Sequence, residues 1–164
     1  MAVLQILRWP DPRLATPCRP VGRITDEIRT LAADMLETMY AAPGRGLAAP
    51  QVGRLIRLFV MDTGWREGTP CPRVLIDPVI DWRSDETATH AEGCLSIPGI
   101  LTEVTRPTGI RLRWTDPEGR PQTAELAGFE ATFAQHEIDH LDGIVTLDRL
   151  SPAARATAEA EYRG

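Results

Sequence analysis

Two of the three histidines in this 164-residue chain, His136 and His140, stand four residues apart, with Glu137 directly after the first. A helix is the structure that exploits this spacing, because residues i and i+4 lie one turn above each other on the same face. From there both imidazoles can address one metal ion, and Glu137 can reach a water held on it. This is the HExxH arrangement, two ligands plus a general base, suited to hydrolysing an amide. The competing reading is a surface helix that carries two histidines by chance, and the apolar positions around the pair argue against it. Two ligands do not complete a site. The stretch from Gln135 to Gly143 therefore demands a helix and a distant segment folded back against it.

Composition sets the frame. A chain with 43% hydrophobic and 25% charged residues fits one globular domain over residues 1–164 with a sizeable core. The net charge of −5 argues against a nucleic-acid binder, since phosphate contact needs a basic face. All 18 basic residues are arginine, and without asparagine there is no N-glycosylation acceptor. The short apolar run at the N-terminus has no basic region before it, and no apolar stretch approaches the length of a membrane span. Cys18, Cys71 and Cys94 are odd in number and irregularly spaced, unlike a disulfide framework. A cytoplasmic, reducing compartment is expected.

Along the chain, the proline-rich Met1 to Gly22 predicts an extended segment with no helix. From Thr25, Ile28, Leu31, Ala32, Met35, Leu36 and Met39 recur at helical spacing and predict a helix to Tyr40. Leu55 to Met61 reads as a buried strand, Thr63 to Pro72 as a loop, and Val74 to Trp82 as a strand bent at Asp77-Pro78. Ile110 to Trp114 and Gln122 to Leu126 form a predicted hairpin around Asp116-Pro117-Glu118-Gly119. A helix from about Glu130 to Leu141 stops at Gly143, and the tail from Ser151 to Glu161 is helical with Pro152 at its first position. The expected class is α+β: antiparallel or mixed sheets around a central helix bearing the two histidines, with an N-terminal helix and a short C-terminal one.

A third ligand must be cysteine, histidine or a carboxylate. Glu159 and Glu161 lie downstream in the tail helix and would make a peptidase-like set. Cys94 lies upstream in Glu92-Gly93-Cys94-Leu95-Ser96-Ile97-Pro98-Gly99, where Pro98-Gly99 predicts a turn shaped around the thiol. On local sequence alone Cys94 reads equally well as a small core residue. A second shaped stretch runs from Gly44 to Gly53, where small side chains allow close approach. Within it Gln51 is the one uncharged donor-acceptor, and the bland role for it is to satisfy a neighbouring backbone group.

Together these stretches resemble the peptide deformylase family, which carries G-x-G-L-A-A-x-Q, then E-G-C-L-S, then Q-H-E-x-D-H. Here they are Gly44 to Gln51, Glu92 to Ser96, and Gln135 to His140, in the same order. The resemblance implies that Cys94, His136 and His140 hold one divalent metal with a fourth place for water. The family works with Fe(II), while Zn, Ni or Co are the alternatives in purified protein. It implies a formyl-methionyl peptide as substrate, formate as product, and Glu137 as the base. The side-chain amide of Gln51 and the backbone N–H of Leu95 would face the oxyanion. Peptide main chain would pair as an added strand with Arg45, Gly46 and Gly93. Phe129, Phe133 and the His136 ring are candidates for the methionine pocket. Glu92 and Arg106 would form an ion pair behind the Cys94 loop, or else remain two solvated charges. Arg45 and His90 stand where the family has apolar residues, so peptide preference beyond methionine is open. A ribosome contact, made by a basic tail in some members, finds little support in this nearly neutral tail.

Overall fold

In the computed structural model, which describes residues 2–164, the chain forms an α+β fold of three helices and two antiparallel sheets. In chain order the elements are α1 (Asp26–Ala41), β1 (Gly46–Ala48), β2 (Leu58–Met61), β3 (Arg73–Arg83), β4 (Thr87–Cys94), β5 (Ile97–Pro107), β6 (Gly109–Thr115), β7 (Pro121–Ala127), α2 (Gly128–Leu141) and α3 (Pro152–Arg163). One sheet has the order β1-β2-β3-β6-β7, and β4 and β5 form a separate ribbon.

The apolar run Leu58-Phe59-Val60-Met61 explains the layering. Successive strand residues point to opposite faces, so a strand apolar throughout must be covered on both. Leu58 and Val60 join Leu47 and Ile76 under α1, against Ile28, Leu31, Met35 and Met39. Phe59 and Met61 join Ala48, Leu75, Ile110 and Leu112 against Ala131, Ala134, Ile138 and Leu141 of α2. Helix α2 is thus pressed onto the sheet along one side, and its other side is free to carry chemistry. A third cluster, with Leu14, Cys94, Ile97, Ile100, Leu147 and Ala158, joins the ribbon to α3.

Local signals explain the element ends. Thr25 caps α1 by accepting the Ile28 N–H, and Ser151 caps α3 by accepting that of Ala154. Asp77, with φ 51°, and Pro78 occupy a register shift in β3, where the missing proline N–H breaks no ladder bond. The displaced Asp77 carboxylate accepts the N–H groups of Val21 and Gly22 at 2.7 and 3.0 Å, pinning the N-terminal segment to the sheet.

Several expectations need correction. The proline-rich start is not wholly extended: Pro12–Ala15 forms a 3-10 turn, with Asp11 accepting the Arg13 N–H (Met1 lies outside the described residues). The strand expected from Leu55 begins at Leu58, because Ile56 instead makes an isolated bridge with Arg19. Within the expected loops, Gly46–Ala48 is a short strand, and Ala49–Val52 and Trp65–Glu67 are 3-10 turns. Pro98-Gly99 is not the turn after Cys94. Leu95 and Ser96 make that turn, and Gly99, at φ 81°, lies inside β5.

Gly143 ends α2 with φ 77°, and a Cβ there would lie 2.9 Å from the backbone carbonyl of Ala15. Gly143→Ala is expected to lose about 1–2 kcal/mol from the left-handed backbone alone, with more from the contact. Urea denaturation midpoints of the two proteins check this.

Candidate metal centre and cavity

Helix α2 places His136 and His140 one turn apart, with ring centroids 5.0 Å from each other. The ribbon brings Cys94 to them: its Sγ lies 3.4 Å from His140 Nε2. Ligand atoms of Cys94, His136 and His140 all lie within 4.8 Å of one another, and all three residues are buried. The tail carboxylates are elsewhere: Glu159 binds Arg155 on its own helix, and Glu161 is exposed.

Each imidazole is oriented. His136 Nδ1 donates to Glu92 Oε1 at 3.0 Å, which leaves Nε2 as its ligating nitrogen. Glu92 is itself gripped by Arg106, whose Nε and Nη2 donate to its two oxygens at 2.7 and 3.0 Å. Arg106 Nη1 donates to Asp139 Oδ2 at 2.9 Å, and Arg149 binds the same carboxylate at 2.7 and 3.1 Å. A chain of ion pairs thus runs from β4 and β5 to α2 and on to the segment before α3.

Electrostatics follow from burial. Burial alone would raise Glu92, but bonds from His136 and Arg106 outweigh it and hold this carboxyl below its usual range. Burial pushes Glu137 up to about 7, although His136 pulls the other way. Burial also disfavours charge on His136, yet Glu137, Cys94 and Glu92 around it raise its affinity for a proton well above normal. His140 goes the other way, held neutral by burial and by His136.

A cation fits this surrounding. A thiol and two imidazoles are ligands for a borderline-soft divalent ion, and the carboxylates nearby favour positive charge. Two buried atoms beside the cluster, Glu137 Oε1 and His140 Nδ1, have no hydrogen-bond partner. Because Glu137 also lines the cavity, its unpartnered Oε1 is available to a molecule bound there.

Gln51 is almost fully buried. Its Oε1 accepts the Ala48 N–H at 2.9 Å, and its Nε2 donates to Ser96 Oγ at 3.0 Å, 3.8 Å from Cys94 Sγ. Leu95, in the turn after Cys94, packs a methyl toward Gly44. A Cβ on Gly46 would stand 2.5 Å from Glu137 Oε2, so that glycine makes room for the carboxylate. Gln51, Leu95, Gly44, Gly46 and Glu137 line a cavity of about 1130 Å³ together with Cys94, His136, Arg45, Gly93, Phe129, Phe133 and His90. Phe133 is half-buried. Phe129 stands at the mouth, 67% exposed, with its ring 5.7 Å from that of His90.

Sequence reasoning missed three groups. Ser96 and Asp139 are the last residue and the penultimate residue of two motifs, and that was their only signal. Arg149 had none, since its role appears only when the chain brings it to Asp139.

A family model described as polypeptide deformylase matches residues 3–156. A peptide deformylase from Alkalilimnicola ehrlichii is 53% identical, covering 94% of this chain and 86% of its own. One from Afipia carboxidovorans is 48% identical, covering 94% and 91%. The solved peptide deformylase of Ehrlichia chaffeensis in complex with actinonin superposes with a TM-score of 0.93 at 39% identity, covering 99% and 97%. Fold, cavity and likeness define a hydrolase with a Cys-His-His group able to hold a metal ion. The chain belongs to the peptide deformylase family.

Arg106 is buried between two carboxylates, so Arg106→Met leaves the buried Glu92 with His136 alone and Asp139 with Arg149 alone, and is expected to cost about 3–5 kcal/mol. Arg149→Ala, on the more exposed side of Asp139, should cost under about 1 kcal/mol. Chemical denaturation of the two variants gives the comparison.

Proposed function

We propose that this chain removes the formyl group from the N-terminal formyl-methionine of nascent peptides, releasing formate and a free amine. The observation that carries the reading is the buried Glu137 carboxyl, with Oε1 unpartnered, beside the Cys94-His136-His140 cluster in a cavity open to solvent. His136-Glu137-Ile138-Asp139-His140 then serves as an HExxH stretch, with Cys94 in place of the downstream ligand. The likeness to an actinonin-bound deformylase supports a peptide-like substrate.

Cys94, His136 and His140 would hold the metal. We take it to be Fe(II) on the family likeness, although the donor set alone also suits zinc. When bound, the ion polarises the formyl oxygen and makes water more acidic.

Glu137 takes a proton from the attacking water as the water oxygen joins the formyl carbon. It delivers that proton to the nitrogen as the C–N bond breaks. Gln51, aimed by Ala48 and Ser96, presents Nε2 to the developing oxyanion, and the Leu95 N–H is its partner. Substrate main chain pairs with Arg45 and Gly46 on one side and Gly93 on the other, independently of side chains. Phe133 and the His136 ring receive the methionine, and Phe129 borders the entrance rather than the pocket floor. Glu92 and Arg106 keep His136 in its ligating tautomer.

One unit spanning 1–164 is supported by the docking of α3, where Tyr162 donates to the Trp9 carbonyl at 2.9 Å. Three free cysteines favour a reducing cytoplasm. No helix among the described residues is long and apolar enough to cross a membrane. Ribosome docking does not enter the reading, because α3 pairs Arg155 with Glu159 and mixes Arg163 with Glu161.

Formate release from formyl-Met-Ala and acetyl-Met-Ala peptides, after anaerobic loading with Fe(II), tests the proposal. Formyl turnover with little acetyl turnover is expected, and absence of formate would overturn it. Glu137→Gln should keep its metal and lose about 100- to 10,000-fold in kcat. Gln51→Leu should lose about 100- to 1,000-fold. Cys94→Ala should lose the metal itself, read by elemental analysis. Gly46→Ala, pushing on Glu137, should lower kcat at unchanged metal content.

A further inference from the structure

The cavity lining carries two unlike sets of side chains. Leu101 and Phe129 are apolar and exposed. Arg8, Arg45 and Arg66 are cationic, and the acidic residues lining the cavity are Glu92 and Glu137, both buried. Arg8 and Arg66 make no ion pair among the described residues, and both are exposed. Arg45 gives Nη2 to Glu67 at 2.6 Å and is otherwise uncommitted, with its side chain 27% exposed. A protein of net charge −5 thus sets three guanidinium groups along this cavity.

This basic wall is built rather than incidental. Trp65 Nε1 donates to the Gly44 carbonyl at 2.9 Å, and its ring meets that of Tyr40 edge-on at 5.1 Å. Those contacts clamp the 3-10 turn Trp65–Glu67 against the Gly44–Gly46 stretch and set Arg66 beside Arg45 at the mouth. Guanidinium forks recognise carboxylates with directed N–H bonds, and a one-sign rim on a cleft steers charged ligands inward.

We propose that this rim makes the enzyme prefer formyl-methionyl peptides with acidic side chains at the positions following methionine, read by Arg66 and Arg8 with Arg45 between backbone and rim. The proposal rests on the deformylase reading. An extended peptide advances about 3.3–3.6 Å per residue, so the third and fourth residues lie beyond the buried end and reach the rim. Backbone pairing keeps every nascent chain a substrate, and the rim ranks them.

The test compares kcat/KM for formyl-Met-Ala-Asp-Glu, formyl-Met-Ala-Ser-Ser and formyl-Met-Ala-Lys-Lys amides on the metal-loaded enzyme. The acidic peptide is expected to exceed the neutral one by about threefold or more, with the lysine peptide lowest. The acidic-to-neutral ratio should fall to one or below in Arg66→Glu, and shrink in about 0.5 M salt. Turnover of the neutral peptide with equal ratios would overturn the rim and leave the deformylase reading standing. Turnover of none would overturn that reading instead. The rim is then judged by calorimetry with the unformylated Met-Ala-Asp-Glu and Met-Ala-Lys-Lys amides, where equal affinity overturns it.

Discussion

Arg106 of β5 holds Glu92 of β4 with two N–H groups and Asp139 of α2 with a third, while Glu92 accepts from His136 on the same helix. Through these bonds a ribbon whose strands, among the described residues, pair with none of the main sheet is joined to the helix that carries both histidines. Cys94 ends that ribbon, so its thiol reaches the imidazoles because Arg106 and Glu92 set the ribbon's height along α2. Buried ion pairs contribute little net stability over well-packed apolar groups. Their directed geometry is what matters here, since apolar packing tolerates slips that would move a sulfur out of reach of two ring nitrogens.

Helix α2 works on both of its sides. Ala131, Ala134, Ile138 and Leu141 seat it on the sheet, and that packing is insensitive to what happens across the helix. On the other side Glu137 is kept from any protein hydrogen bond at Oε1, a cost the fold bears because the rest of the helix is so firmly buried. The Gly44–Gly53 stretch completes the enclosure. Gly46 yields space for Glu137, and Ala48 and Ser96 fix the Gln51 amide from both ends.

The elements with regular periodicity were legible in the residues: α1 from its apolar spacing and Thr25, the β6–β7 hairpin from alternation around Asp116 to Gly119, and the bend at Asp77-Pro78. The ribbon was not. In β5 the buried residues Ile100, Thr102, Val104 and Arg106 do alternate, but a threonine and an arginine occupy two of the four inward places. A hydrophobic pattern cannot reveal a strand whose inner face exists to bind a carboxylate. The same cause hid Arg149 and left Phe129 in the expected pocket instead of at its rim, because exposure of an aromatic ring depends on what covers it.

The spacing of His136, Glu137 and His140 by itself dictated a helix with two imidazoles and a carboxyl on neighbouring positions, because helical geometry is local and 3.6 residues make a turn. The motif residues around Gln51 and Cys94 named the other parts of the site by likeness. Only the tertiary structure decided that Cys94, and not Glu159 or Glu161, stands beside those histidines, since that depends on long-range packing of the ribbon. It also decided that Glu137 is buried with an unpartnered oxygen at the cavity, and that three arginines from separate segments line that same cavity. Burial and convergence are properties of how distant segments pack, and no local run of residues specifies them.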